Sequence, residues 1–211
     1  PTLRKRWLKY NIVSEAAEPE VDWQSVGRAM HALQAGIQRW TTKHSMGICG
    51  VGKFMKIWRF DTTDNCPCCG LFEDHLHVPR CPSLGASKEW DRRISALSTW
   101  LDLQKTEPSL KHALLLILNG VRDPSKPSEQ LLSPSLRPAF RSQMLIGCQG
   151  LLEGRLSTHW AVLQQQHFHR IGSRRSSRLW ASRLTQQLIL IGFYMWEHRN
   201  SVQHSDDNVN L

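Results

Sequence analysis

The chain has 211 residues and carries 27 Lys/Arg against 18 Asp/Glu, a net charge of +9 at pH 7. That length allows one sizeable domain or two small ones, and a 40% hydrophobic content with nine tryptophans can fill a largely aromatic core. No run approaches the roughly 18–20 apolar residues of a membrane span, so no membrane partner is expected, and clustered cysteines point to metal binding in a reducing compartment rather than to a disulfide framework.

The chain opens Pro1-Thr2-Leu3-Arg4-Lys5-Arg6-Trp7, with neither an initiator Met nor an apolar signal core. The expectation is a fragment or processed product of an intracellular protein, nuclear or cytoplasmic. Arg4, Lys5, Arg6 and Lys9 form a basic cluster, either the solvated face of a helix or a phosphate-contacting arm. An acidic connector with Pro19 follows. Asp22 is then a good N-cap, and Trp23, Val26, Met30, Leu33, Ile37 and Trp40 predict one amphipathic helix of about 20 residues ending near 41–44.

Gly47, Gly50 and Gly52 lie in a stretch ending at Lys53, but the spacing is not that of a phosphate loop, so a flexible turn is expected. Phe54, Ile57, Trp58 and Phe60 alternate with Lys53, Lys56 and Arg59 in a short helix or strand. That interleaving suits base stacking with phosphate contact; it equally suits aromatic packing beneath a metal module.

The most chemically specific segment is Asp61–Pro82. Cys66-x2-Cys69 followed by His77-x3-Cys81 supplies four ligands, enough to close a tetrahedral zinc site and leave no open position for catalysis. The turn at Cys66-Pro67-Cys68-Cys69-Gly70 lets backbone N–H groups donate to the sulfurs, and Gly70 permits the positive φ such a turn requires. Cys68 is the alternative to Cys69, and His75 the alternative to His77; ligand spacing favours Cys69 and His77. Pro79 disfavours α conformation at Val78, so a turn rather than a helix, with a short hairpin beside it, is expected to carry the site. Glu73 and Asp74 read as solvated charges or as acceptors behind the ligands, not as a general base.

Further on, apolar periodicity predicts helices over about 83–105, from Pro108 to Gly120, over about 138–154, about 157–171 and 176–204, the most apolar window lying at Leu184–Trp196. Between them Arg122–Ser128, continued to Pro138, reads as a Pro/Ser-rich loop and candidate disordered excursion. Arg174, Arg175, Arg178 and Arg183 crowd the start of the last helix, where cations oppose the helix dipole. Such a burden suggests a phosphate partner or a solvated face. The tail 205–211 is polar and expected to fray. The fold class is therefore mainly α, a helical bundle with a small inserted CCHC zinc knuckle. Its expected parts are a helical region with basic segments at 1–60, the knuckle at 61–82 and a C-terminal helical domain at 83–211.

Three stretches share a resemblance: Arg39-Trp40-Thr41-Thr42-Lys43-His44, then Cys66-Pro67-x-Cys69-Gly70, then Glu73-Asp74-x2-His77-x3-Cys81-Pro82. They resemble the region C-terminal to the polymerase in non-LTR (LINE-type) retrotransposon reverse transcriptases. Trp196-x2-Arg199-Asn200 is similar to a helix found downstream in the same open reading frames. The likeness covers residues 22–82 well and the rest loosely; Cys68, His75 and Pro79 are departures from it. It implies Cys66, Cys69, His77 and Cys81 as ligands of Zn²⁺, in a module that helps hold template RNA or target DNA. Its partners would be RNA or DNA and the polymerase region of the same polyprotein.

No Tyr/Phe-x-Asp-Asp polymerase motif and no Pro-Asp…(Asp/Glu)-x-Lys nuclease pattern is present, so no catalytic residue is expected in this chain. Charge is unevenly placed. Residues 1–60 carry ten Lys/Arg against four Asp/Glu, residues 61–105 five against seven, and residues 106–211 twelve against seven. Three thiolates around one Zn²⁺ would leave the site itself anionic. Phosphate is therefore expected on the flanks, at Lys53, Lys56, Arg59, Arg80, Arg92, Arg93, Arg174, Arg175 and Arg178, not at the ligands. The alternative function is a zinc-stapled interaction module that packs on a polymerase core.

Overall fold

A computed structural model describes residues 3–61, 63–123, 125 and 128–207. Pro1 and Thr2, Pro124, Lys126 and Pro127 of the Pro/Ser-rich loop, and residues 208–211 of the tail lie outside the described residues. Helices dominate: α1 Leu3–Lys9, α2 Trp23–Ala32, α3 Ala35–Ser45, α4 Gly52–Ile57, α5 His77–Arg80, α6 Leu84–Leu103, α7 Pro108–Arg122, α8 Arg137–Ile146, α9 Thr158–Arg170 and α10 Ser177–Asp207. Among the described residues the only β-pairings are two isolated antiparallel bridges, Val21 with Ser157 and Asn65 with Phe72. The second is all that stands where a hairpin is expected.

The spine is α10, which contacts α2, α3, α5, α6 and α9. Its Leu184, Leu188, Ile191 and Met195 join Leu110, Leu114, Ile117 and Leu118 of α7 with Trp90, Leu97 and Leu101 of α6 in the main core. Burying each Leu or Ile there contributes about 1.5–3 kcal/mol relative to exposure. Cys49, Val51, Cys66, Val78 and Cys81 belong to the same cluster, so the knuckle shares its core with the bundle. A smaller cluster of Trp7, Val13, Val21, Val26 and Ile146 holds α1 against α2 and the end of α8.

Three expectations change. The single helix expected after Asp22, ending near 41–44, is two, because Leu33 is extended (φ −82°, ψ 152°) and its carbonyl accepts from the Gln38 side chain. The break lets α2 pack along α10 while Trp40 of α3 meets Phe193 edge-on, ring centroids 5.4 Å apart. The helix over 138–154 stops at Ile146, where Gly147 takes φ +97°; a 3-10 helix, Cys148–Glu153, follows and ends at Gly154 with φ +88°. The last helix continues through 205–207, part of the expected frayed tail. In the 131–138 segment, Leu132, just after the 3-10 turn Glu129–Leu131, and Leu136, in the 3-10 turn Pro134–Leu136, are buried, which anchors what reads as loop in the sequence.

Candidate metal centre and its basic surroundings

The turn after Cys66 forms as its sequence requires. Gly70 has φ +75° and its N–H donates to the Cys66 carbonyl at 2.8 Å; the Cys66 N–H returns to the Leu71 carbonyl at 2.7 Å. The second half of the site sits on α5. Pro79 falls within the first turn of that helix, where its missing N–H would have had no intrahelical acceptor. One helical turn is thus compatible with Pro79, and α5 corrects the expectation of a non-helical turn. Asp74 stabilises its start by accepting from the N–H groups of Leu76 and His77, both at 2.9 Å.

These two pieces bring together Cys66, Cys69, His77 and Cys81. Their Sγ and imidazole nitrogen atoms all lie within 4.8 Å of one another, a group that can hold a metal ion. Cys66 Sγ and Cys81 Sγ are 3.8 Å apart, too far for a disulfide, and Cys69 Sγ is 3.3 Å from His77 Nε2. The Cys81 thiol donates to Ser83 Oγ at 3.4 Å, a polar partner beside the ligand group. The Cys66 thiol is pushed up to about 12 by its bond with Cys68 and by burial, and burial pushes Cys81 up to about 11. A cation binding here must therefore displace thiol protons, so its affinity falls as pH falls. His75 lies apart from the group, its ring edge-on to His44 (centroids 5.8 Å) and packed beneath Gly47.

Behind the ligands lies the feature the sequence reading missed. Glu73, expected to be solvated or to back a ligand, is fully buried and ion-paired. Its carboxylate accepts from Arg199 Nη2 at 2.7 Å and Nε at 3.0 Å, and from the Gly52 N–H at 2.6 Å. The glycine-rich stretch therefore does bind an anion through its backbone, but the anion is the chain's own. Gly52 must be glycine: a Cβ there would stand 2.6 Å from the Asp64 carbonyl oxygen. The Lys53 N–H donates to the Glu73 carbonyl, completing the attachment of α4 to the knuckle. Trp196 Nε1 adds a bond to the Gly50 carbonyl at 3.3 Å.

Two arginines lock the other side. Arg80 Nε donates to the Val121 carbonyl at 2.8 Å, and Arg122 Nη2 donates to the Cys81 carbonyl at 2.8 Å. This exchange explains why α7 runs past Gly120, expected to end it, to Arg122.

The expected phosphate-binding residues fall into three groups. Lys53, Lys56 and Arg59 are exposed on and just after α4, with Lys56 3.2 Å from Asp64. Arg92 and Arg93 both bond Glu89, and the Arg93 guanidinium lies 3.7 Å over the Tyr194 ring. Arg80 and Arg93 are half-buried and engaged by the protein itself, whereas Arg92 stays exposed while paired with Glu89. Arg174, Arg175 and Arg178 are exposed at the turn into α10, Arg175 donating to the Leu103 carbonyl. Lys105, at the neighbouring end of α6, adds a cation there that the sequence reading did not single out. No protein-family model, curated protein or solved structure matches this chain.

Proposed function

We propose that the chain is a non-catalytic, zinc-stapled nucleic-acid-binding module of a reverse-transcriptase-like protein. The observation that carries this is α4. It places Lys53, Lys56 and Arg59 in solvent beside Trp58 and Phe60, which are 41% and 75% exposed, and fixes them to the knuckle through Gly52 and Glu73. Cations that neutralise phosphates next to bare aromatic faces are the parts of a single-strand-binding surface. Arg59 closes α4 with φ +62°, its N–H on the Lys56 carbonyl and the Phe60 N–H on the Met55 carbonyl. Glycine is the usual residue at such a helix end. Left-handed backbone at an arginine costs about 1 kcal/mol, a cost consistent with a use for the guanidinium. Lys105 repeats the pattern at φ +53° beside Arg175.

Zinc is the ion of choice by donor chemistry. Three thiolates and one imidazole suit a borderline-soft, tetrahedral cation, and Zn–S bonds of about 2.3 Å give tetrahedron edges of roughly 3.8 Å. The Cys66–Cys81 sulfur separation of 3.8 Å matches that edge. The place in a reverse-transcriptase-like protein is supported by the meeting of two motifs. Glu73 of the knuckle motif and Arg199 of the Trp-x2-Arg-Asn helix form one buried pair across 126 residues.

The test pairs metal analysis with binding. Purified chain should carry one equivalent of zinc, lost on Cys66→Ser, Cys69→Ser, His77→Ala or Cys81→Ser and kept on Cys68→Ser. Its affinity for a labelled single-stranded oligonucleotide should fall steeply between 50 and 200 mM salt. Zinc retention by Cys69→Ser, or a salt-independent affinity, would sink the respective half of the proposal. A second reading, a module that packs on a polymerase core, is favoured by the exposed Ile57, Leu71 and Phe72, at 60%, 55% and 55%.

A further inference from the structure

A separate basic site lies on other elements than the knuckle and the α10 arginines. Between α1 and the C-terminal end of α3 there is an open cleft of about 700 Å³, lined by Lys5, Arg6, Lys9 and Lys43 with Tyr10 and Ile48. No carboxylate lines it. Of the cluster that opens the chain, Arg4 alone is taken up by an acid among the described residues, Glu18. Lys9 lies 5.5 Å from the Tyr10 ring centroid.

These cations are not a loose arm. Trp7, on the opposite side of the same helix, is fully buried, and its Nε1 donates to Ser45 Oγ at 2.8 Å. That bond joins α1 to the end of α3, so Lys5 and Lys9 are held facing Lys43. The Arg155 guanidinium beneath Trp7, 5.3 Å from its ring, closes the packing on the inner side. Four like charges gathered around one cleft repel, and only an anionic occupant turns that arrangement into attraction.

We propose that this cleft binds the phosphate backbone of a single-stranded nucleic acid, with Tyr10 offering a face to one base. The volume exceeds what one phosphate needs, and the lysines are spread on both walls as a phosphodiester tract would use them. Tyr10 is 56% exposed, free to stack on an unpaired base and of no such use to a duplex. The inference rests on the nucleic-acid reading above and adds to it a second, independent tract on α1 and α3.

The test uses the full chain, zinc-loaded, with a fluorescein-labelled single-stranded oligoribonucleotide followed by anisotropy over a range of KCl concentrations. Each single-strand phosphate contact contributes about 0.7 to the slope of log affinity against log salt. Removing three of them in Lys5→Ala/Lys9→Ala/Lys43→Ala should lower that slope by about 2 and weaken binding tenfold or more at low salt. Tyr10→Ala should weaken single-strand binding several-fold and leave duplex binding unchanged. Bound RNA should also protect Lys5, Lys9 and Lys43 of the unaltered chain from acetylation, a readout that needs no variant.

If wild type binds while the triple variant keeps its slope and the lysines stay reactive, the cleft proposal is overturned and the α4 reading stands. If wild type binds no RNA, both fall. If polyglutamate competes for the cleft lysines while RNA does not protect them, the occupant is an acidic protein and the proposal is likewise overturned.

Discussion

His44 is the clearest case of one residue whose surroundings decide its chemistry. It is buried, stacked on Trp40 with ring centroids 4.6 Å apart, and its Nδ1 lies 3.6 Å from Cys49 Sγ. Burial, with lesser repulsion from His75 and Arg155, pulls its pKa from 6.5 down to about 3. The folded value lies below the unfolded one, so the stability it confers is full above pH 6.5 and is lost as pH falls toward 3. At about 1.4 kcal/mol per pH unit, the loss between pH 6.5 and pH 5 is about 2 kcal/mol. Urea denaturation of wild type and His44→Gln should therefore give curves that converge as pH falls from 7 to 5. Acid release of metal affects both proteins and cancels in the comparison; parallel curves would refute the assignment. Cys49 behaves as its partner's neighbour should, its thiol raised to about 12 by burial. This Cys–His contact is a packed, inert pair rather than a nucleophile and base.

At the scale of elements, the question is which contacts fix the knuckle to the helices. Arg199 and Glu73 are 5% and 0% exposed, so removing either leaves a buried charge without its counter-ion, at a cost of about 3–5 kcal/mol. Arg199→Met and Glu73→Gln should each destabilise by that order, while the double variant should recover a substantial part. A double-mutant cycle by denaturant titration reads the coupling, and strictly additive losses would show that the pair does not act as a unit. The sequence disclosed the ligands because Cys-x2-Cys and His-x3-Cys are local patterns. It concealed Glu73 and Arg199 because a buried ion pair has no local signature, and a lone Glu beside an Asp looks like surface. The break at Leu33–Gln34 was hidden for a different reason. The apolar spacing Leu33, Ile37, Trp40 runs through it unbroken, with only Gly36 nearby to hint at a change of direction. Gly154 marked the end of the expected 138–154 stretch, whereas the stop at Gly147 was read through because apolar spacing continues beyond it.

For the whole molecule, the shared core would make a metal at this site a local staple on a bundle held by apolar packing. Main-core residues of α6, α7, α9 and α10, such as Leu101, Leu114, Trp160 and Leu188, are fully buried. A metal present at about 100 times its dissociation constant adds about 2.7 kcal/mol. For a chain of this size that is roughly 5–10 °C in Tm. Chelation should lower the melting temperature by that amount while leaving most far-UV helical signal intact at 25 °C. Complete loss of helix on chelation would mean that the bundle cannot stand without its staple. The basic surfaces belong to this scale too. Lys53, Lys56 and Arg59 sit on α4, Lys5, Lys9 and Lys43 on α1 and α3, and Arg174, Arg175 and Arg178 at the start of α10. The three groups come from separate elements of the fold, which is why composition suggested a polyanion without drawing a path for it.

The bond between Glu73 and Arg199 also sets an order in time. A ribosome adding about 5–20 residues per second needs roughly 6–25 s to travel the 126 residues between them. Through most of that interval Cys66, Cys69, His77 and Cys81 are all made and could hold an ion, while the carboxylate behind them still lacks its guanidinium. The nascent knuckle is then a turn with an open back. It becomes part of the bundle only when the last helix arrives to close it.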